Sequence, residues 1–271
     1  RTFEAWIFVS SNAPASNLSI LDYGLNAVGS RNTFAVTATR GLIFISGGTN
    51  ANLGTGGNTV PLNQWTHVAF VLDNGTGYLY VDGIQTATGN LTTVNTPANN
   101  QNVYIGERVS GGTIPFHGSI DEVRIWKVTR TTAEIAANMN SELCVIPSSV
   151  KAYYRFNHGI AGGTNTTVTS VTDLSSNGNT GTLSNFALSG TTSNWTTGRP
   201  LTPGSVVSNT SISACGSYTM PDGRIITTAG TYYDTLPSSS GCDSLAGYII
   251  TFPPAIIKNT VSDSGCTSYS T

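Results

Sequence analysis

Trp65-Thr66-His67-Val68-Ala69-Phe70-Val71-Leu72-Asp73-Asn74-Gly75-Thr76-Gly77-Tyr78-Leu79-Tyr80-Val81-Asp82-Gly83 decides how the rest of the chain is read. Two apolar runs, Val68 to Leu72 and Tyr78 to Val81, are joined by Asn74-Gly75, and Asp82-Gly83 follows as a second tight-turn pair. Asx-Gly pairs tolerate the positive φ values that two-residue hairpins demand, so the stretch predicts an antiparallel meander. Gly75, Gly77 and Gly83 would interrupt any helical stripe laid over the same residues.

Upstream, Phe3 to Val9 alternates Phe3, Ala5, Ile7 and Val9 with Glu4, Trp6 and Phe8. Both sets are largely apolar, which predicts a central strand covered on each face. Short strands are expected at Leu18 to Leu21, Thr33 to Ala38 and Leu42 to Ser46, with Gly41 and Gly47-Gly48 as punctuation. Such spacing belongs to a sandwich or jelly roll. The Gly/Asn-rich loop Asn50 to Asn63 and the polar segment Thr86 to Asn102 read either as binding loops or as plain solvent-exposed connections. Downstream comes a strand at Val103-Tyr104-Ile105. A single helix start follows, with Thr131 as N-cap and Glu134 closing a capping box, and the helix is expected to cover a sheet edge or sandwich end. Lys151 to Asn157 returns as a strand.

Charged residues make up 10% of the 271 residues, against about 25% in average soluble domains. Net charge is −2 and no block of Lys or Arg occurs, so the footprint that nucleic acid or an anionic membrane requires is missing from the sequence. No apolar run approaches the roughly 20 residues of a membrane span. Arg1 to Trp6 reads as the middle of a strand, so the chain is expected to begin inside a longer polypeptide.

The run W-T-H-V-A from Trp65, then L-Y-V-D-G from Leu79, then Phe116-His117-Gly118-Ser119-Ile120-Asp121-Glu122-Val123-Arg124-Ile125-Trp126 resembles, in that order, the laminin-G-like, concanavalin-A-type jelly-roll domains of secreted bacterial proteins. The resemblance covers residues 1–199. It implies a two-sheet antiparallel jelly roll that the strand from Lys151 closes. Because the superfamily includes lectins, adhesion modules, enzyme accessory domains and glycosidases, it leaves the ligand open.

Asp173, Asn177 and Asn179, with Gly178 and Gly181 allowing tight curvature, form the most chemically suggestive loop. Hard oxygen donors on a flexible loop suit Ca²⁺, although no Glu closes the loop as in an EF-hand. Similar loops in the resembling family bind structural calcium with help from a second loop, and Asp121 is the candidate helper. The other reading is an Asx-turn hairpin in which Asp173 and Asn177 cap backbone amides.

Residues 200–208 read as a linker. Beyond it, Cys215-Gly216-Ser217-Tyr218 is echoed by Cys266-Thr267-Ser268-Tyr269 at a step of 51 residues. Residues 209–258 are therefore expected to form one small β repeat module and 259–271 the start of the next. Cys215 and Cys242 bracket the module and are the expected disulfide, which would stabilise it by about 3 kcal/mol. Cys266 would pair beyond Thr271, leaving Cys144 as a buried free thiol or, in the other reading, one half of a cross-domain bridge. The module resembles Cys-containing repeats of very large flavobacterial surface proteins. Asp234-Thr235-Leu236 and Asp243-Ser244-Leu245 resemble the O-glycosylation signal of Bacteroidetes, with Thr235 and Ser244 as acceptors.

Catalysis finds little support. Asp121 and Glu122 are adjacent, so on a regular strand their side chains leave opposite faces and cannot flank one glycosidic bond. His67, His117 and His158 lack metal spacing, and no nucleophile elbow, Walker loop or dinucleotide fingerprint occurs. Asp22, Asp73 and Asp82 read as turn residues. Trp6, Trp65, Trp126 and Trp195 are either core or sugar-stacking platforms, and Tyr232 and Tyr233 are freer to be exposed. The expectation is an all-β chain: a two-sheet antiparallel jelly-roll sandwich with one short helix, then a small disulfide-stapled β repeat module. Its expected role is non-catalytic, secreted or cell-surface adhesion to glycans, surface polymers or other copies of the same long protein, with gliding motility as one setting. The alternatives are an accessory carbohydrate-binding domain of a secreted hydrolase, or a spacer.

Overall fold

The computed structural model describes residues 1–47, 52–94, 101–108, 112–190, 194–199, 206–221, 223–236 and 244–253. Its first strands in chain order are β1 (Thr2–Val9), β2 (Leu18–Gly24), β3 (Arg31–Val36), β4 (Leu42–Ile45), β5 (Leu53–Gly54) and β6 (Trp65–Asp73). They are followed by β7 (Thr76–Val81), β8 (Ile84–Asn90), β9 (Val103–Ile105), β10 (Gly118–Trp126), α1 (Thr132–Asn138) and β11 (Val150–Tyr154). The meander forms as its turn chemistry dictates. Asn74 and Gly75 sit at φ 45° and 82°, Asp82 and Gly83 at 48° and 77°, and β6 pairs with β7 and β7 with β8, both antiparallel.

Two antiparallel sheets result, a six-stranded one in the order β11-β10-β1-β6-β7-β8 and a five-stranded one in the order β5-β4-β3-β2-β9. Alternation along β1 decides which side meets the core. Phe3, Ala5, Ile7 and Val9 pack inward with Leu21, Phe34, Phe44, Phe70 and Leu79. Phe44 stacks on Phe70 with ring centroids 3.8 Å apart and planes 6° from parallel, tying the two sheets together. Each such buried side chain contributes about 1.5–3 kcal/mol.

The helix begins as its capping box predicts, with Thr131 accepting from the Glu134 amide and the Glu134 side chain accepting from the Thr131 amide. Its position differs from the expectation. Ile135, fully buried, packs on Ala69, Val71 and Tyr80, so α1 covers the outer face of the six-stranded sheet instead of an edge or end. The physical reason is that this part of β6 and β7 is apolar on both sides, and the face away from the sandwich core needs its own cover.

The chain divides into two compact units, Arg1–Asn140 with Ile146–Pro200, and Ser141–Val145 with Leu201–Thr271. Unit 1 also holds the two-residue pair β12 (Ser170–Val171) and β13 (Gly181–Thr182). Unit 2 contains β14 (Val206–Ser213), β15 (Tyr218–Thr219), β16 (Ile225–Ile226), β17 (Gly230–Leu236) and β18 (Ser244–Thr251). In its three-stranded sheet β18 is central, parallel to β14 and antiparallel to β17, around Met220, Ile226 and Ile250. Cys144 and Cys215 are both disulfide-bonded. Cys144 is thus neither free nor buried; neighbouring Val145 is 86% exposed, so the apolar run around it is a surface segment. Cys242 and Cys266 lie outside the described residues.

Candidate functional site

The Asp173 loop assembles against the free edge of β11. Asp173 Oδ1 accepts from the backbone amides of Tyr153 (3.0 Å) and Ser175 (2.8 Å). Its Oδ2 accepts from the Ser175 hydroxyl (2.7 Å) and the Asn179 amide (2.8 Å). The amide groups of Asn177 and Asn179 donate to the carbonyls of Val150 (3.0 Å) and Lys151 (2.7 Å). Burial pushes the Asp173 carboxyl upward, but the Ser175 hydroxyl and the amides of Tyr153, Ser175 and Asn179 outweigh it and hold the group below its ordinary value. In this arrangement the loop follows the second sequence reading for Asp173, whose carboxylate accepts four hydrogen bonds, three of them from backbone amides. What the loop does here is saturate a sheet edge with side chains, one of the ways proteins protect such edges.

Asp121, the expected helper, serves another purpose. Its Oδ1 accepts from the Glu122 amide (2.9 Å) and its Oδ2 from the Arg199 amide (2.9 Å). The pairing of β1 with β10 shifts register between Glu4 and Trp6, and Glu122 takes φ 53°. This bulge turns Asp121 and Glu122 toward the same, outer face, so the opposite-faces expectation fails. Both are nevertheless committed: Glu122 Oε2 accepts from Arg124 (2.7 Å) and from the Tyr153 hydroxyl (2.6 Å). Asp22, expected at a turn, lies buried in β2 with Thr33 donating to it.

That outer face is the functional candidate. Directly opposed residues of antiparallel strands share a face, and register places Glu4 beside Ala69 and Arg124, Trp6 beside His67 and Asp121, and Phe8 beside Trp65 and Ser119. The first of these rows is sealed. Glu4 is 1% exposed, with His67 Nε2 at 3.4 Å and Arg130 Nε at 4.0 Å. The second is roofed by Arg199, whose guanidinium stacks 3.8 Å over the Trp6 ring and donates to Asn140 at 2.8 Å.

The third row is different. Trp65 and Phe8 are both only partly buried and meet edge-to-face at 5.8 Å. Beside them the Ser119 and Thr196 hydroxyls lie 3.1 Å apart. Trp6, Trp126 and Trp195 are buried at 4%, 1% and 5%, which singles out Trp65 among the four as the ring open to a ligand. Partly exposed aromatic rings bordered by hydroxyls offer apolar stacking and hydrogen bonding together. The sequence had weighed Trp65 as core or platform, while Phe8, Ser119, Thr196 and Arg199 went unmarked. Only the parity of Phe8 with Trp6 on β1 signalled its face.

Thr235 and Ser244 lie on paired strands, with Thr235 opposite Leu245 and Ser244 opposite Leu236. His158 Nε2 accepts from the Thr172 amide at 3.1 Å, His67 sits beside Glu4, and among the described residues no three His, Cys, Asp or Glu side chains gather as a metal site would require.

The family model described as the concanavalin A-like lectin/glucanases superfamily matches residues 1–136, and the chain belongs to that superfamily. Among solved structures, it is similar to a Bacteroides ovatus ATCC 8483 protein provisionally described as carbohydrate-binding, at 25% identity and TM-score 0.50. That match covers 66% of this chain and 50% of the other, so the chain spans half the length of that relative. It is also similar to the CBM40 of a Ruminococcus gnavus IT-sialidase bound to α2,3-sialyllactose (19%, TM-score 0.42, 50% of this chain and 80% of that one). A third is domain 4 of the extracellular GH43 arabinanase AbnA from Geobacillus stearothermophilus, in complex with arabinotriose (24%, TM-score 0.39, 50% and 64%). No curated protein matches the chain.

Proposed function

We propose that unit 1 is a non-catalytic carbohydrate-binding module that works outside the cell, with the Trp65–Phe8 row as its sugar platform. The observation that carries this reading is a partly exposed aromatic pair flanked by the Ser119 and Thr196 hydroxyls, on the part of β1's outer face that α1 and Arg199 leave open. Similarity to the B. ovatus protein supports it. Absence of catalysis is supported by the carboxylates of Asp121, Glu122 and Asp173, each held by donors of the protein itself. A glycosidase instead keeps two acids facing one bond. No helix among the described residues is long and apolar enough to cross a membrane.

The finer reading is adhesion, in which the module is carried by a large bacterial surface protein and followed by tandem repeats at the 51-residue step. A glycan array probed with the wild-type chain, Trp65→Ala and Phe8→Ala, each with and without EDTA, tests the platform. Binding should survive EDTA and fall at least tenfold in Trp65→Ala, about 1.4 kcal/mol or more. A flat array, or binding indifferent to Trp65, would remove the proposal. A catalytic domain elsewhere in the parent polypeptide would favour the hydrolase-accessory reading.

A further inference from the structure

Compact unit 2 takes in Ser141–Val145, a segment that interrupts unit 1 between α1 and β11. The chain is anchored in unit 1 just before the segment begins. The Asn138 carbonyl accepts from Arg124 Nη1 (2.9 Å), the Met139 carbonyl from Trp6 Nε1 (2.6 Å), and Asn140 Oδ1 from Arg199 Nη2 (2.8 Å). Arg124 and Trp6 are 1% and 4% exposed, so the anchor is set in buried residues. After the segment, the Lys127 amide donates to the Ser149 carbonyl (2.9 Å) and β11 begins at Val150.

Within that segment Cys144 is disulfide-bonded. The other cysteines, Cys215, Cys242 and Cys266, all follow Arg199. Whichever of them Cys144 joins, the bond ties the α1–β11 connection to the stretch beyond the linker and closes a covalent ring that includes residues 145–199. Inside the ring lie β11, the Asp173 loop, the β12–β13 pair, Thr196 and Arg199. These are the lightly laddered parts of unit 1. Edge strand β11 has 5 residues, and β12 and β13 have 2 each, whereas β1, β6 and β10, all of them interior strands of the larger sheet, have 8, 9 and 9.

Tension travels along the shortest covalent path through a folded chain. We propose that the Cys144 disulfide is a load bypass: a pull arriving from the C-terminal side enters unit 1 at Cys144, beside the Trp6 and Arg124 anchor, and leaves residues 145–199 without load. Without the bond the same pull enters at the linker. It then draws Arg199 off Trp6 and Thr196 away from Ser119 before it reaches β11. Thr196 and Arg199 border the Trp65 row, so the bypass keeps that face intact under tension, whatever ligand the face takes. Oxidising surroundings keep such a bond formed.

Two measurements on the full 271-residue chain test this. Peptide mapping by mass spectrometry without reduction should recover Cys144 only in a peptide crosslinked to Cys215, Cys242 or Cys266. Single-molecule stretching between residues 1 and 271 should give an oxidised contour length shorter than the dithiothreitol-reduced one by at least roughly 250 Å, the reach of residues 145–214, whereas a bond among the other cysteines hides at most about 180 Å. Cys144→Ser should add a low-force release of roughly 200 Å, residues 145–199, before the rest of unit 1 opens, and oxidised wild type should lack it. The same release should appear in reduced wild type, so the test does not rest on the folding of the variant. Cys144 recovered as a free thiol or joined to another copy, a hidden length of about 180 Å or less, or a reduced chain whose unit 1 opens in the same single step as the oxidised one would each overturn the proposal.

Discussion

Replacing Asp173 by Ala removes an acceptor that four donors share and leaves the amides of Tyr153, Ser175 and Asn179 facing a void. Each buried donor without an acceptor costs about 1–3 kcal/mol. Asp173 is 6% exposed, so water reaches the gap only in part. The Ser175 hydroxyl keeps the Lys151 carbonyl as an alternative partner at 3.1 Å, which lightens the loss. A net cost of roughly 3–4 kcal/mol follows, and at about 2–4 °C per kcal/mol for a domain near 200 residues the melting temperature should fall by roughly 6–16 °C. Asp173→Asn should reproduce at least half of this, since one end of the amide must point N–H at N–H.

The pH dependence has a definite sign. A carboxyl held below its unfolded value of 3.8 contributes stability that is complete above that value and is lost as pH falls through the lower folded one. Calorimetry at neutral and acidic pH, with EDTA and with added calcium, checks both points. The wild type should melt at one temperature in EDTA and calcium, and the Ala variant should lose the acid-range slope that Asp173 supplies. A shift in Asp173→Ala of less than about 2 °C, under one kcal/mol on this scale, would refute the edge-cap account. So would EDTA lowering the wild-type transition by as much as the substitution does, which would restore calcium to the loop.

Gly159→Ala should destabilise unit 1 by about 1–3 kcal/mol, because its Cβ would lie 2.3 Å from the buried Trp195 ring; thermal melts read this directly, and an unchanged transition would show that the ring has room to move. The Tyr154 hydroxyl has its pKa pushed up to about 12 by burial and by the charge of Asp173, so the stability that its neutral form contributes is whole below about pH 10 and lost as pH rises toward 12. Ultraviolet titration of wild type against Tyr154→Phe isolates that step. His158 is held below its ordinary 6.5 by burial and by Arg155, so its neutral form, accepting from Thr172, favours the fold above that pH and the benefit fades as pH falls; NMR titration of its ring protons should show the depressed midpoint.

How much of this was legible in the sequence depended on the range of the interactions involved. Asn74-Gly75 and Asp82-Gly83 carry their turn geometry in two residues, and Thr131 with Glu134 carries the helix start in four, so those elements could be read directly. At Asp173 the residues stood out with two readings, a cation loop and a cap on backbone amides, and the hydrogen bonds of Asp173 follow the second. Composition identifies oxygen donors, but only the tertiary arrangement places the edge of β11 where its amides reach them. The bulge at Glu122 was invisible to a period-two reading, because one extra residue reverses the face of everything beside it. Arg199 stood unmarked at the last position before the linker, whereas its guanidinium lies on Trp6 from the opposite end of unit 1.

The outer face of the six-stranded sheet shows why Trp65 stays open. Strand β1 spans 8 residues, about 26 Å at 3.3 Å each, and α1 has 7, about 10 Å at 1.5 Å each. A helix of that length covers less than half of the strand, whatever its direction. Arg199 extends the cover over Trp6, and the Phe8 and Trp65 row lies past both. The contrast separates structure from function along a single strand face. Trp6→Ala removes a ring 4% exposed that donates to the Met139 carbonyl and carries Arg199, and should cost about 3–5 kcal/mol. Trp65→Ala removes a partly solvated ring and should cost under half of that, while taking most of the glycan affinity with it. If Trp65→Ala instead unfolds the module as Trp6→Ala does, the row is core and the platform must be sought elsewhere on the sandwich.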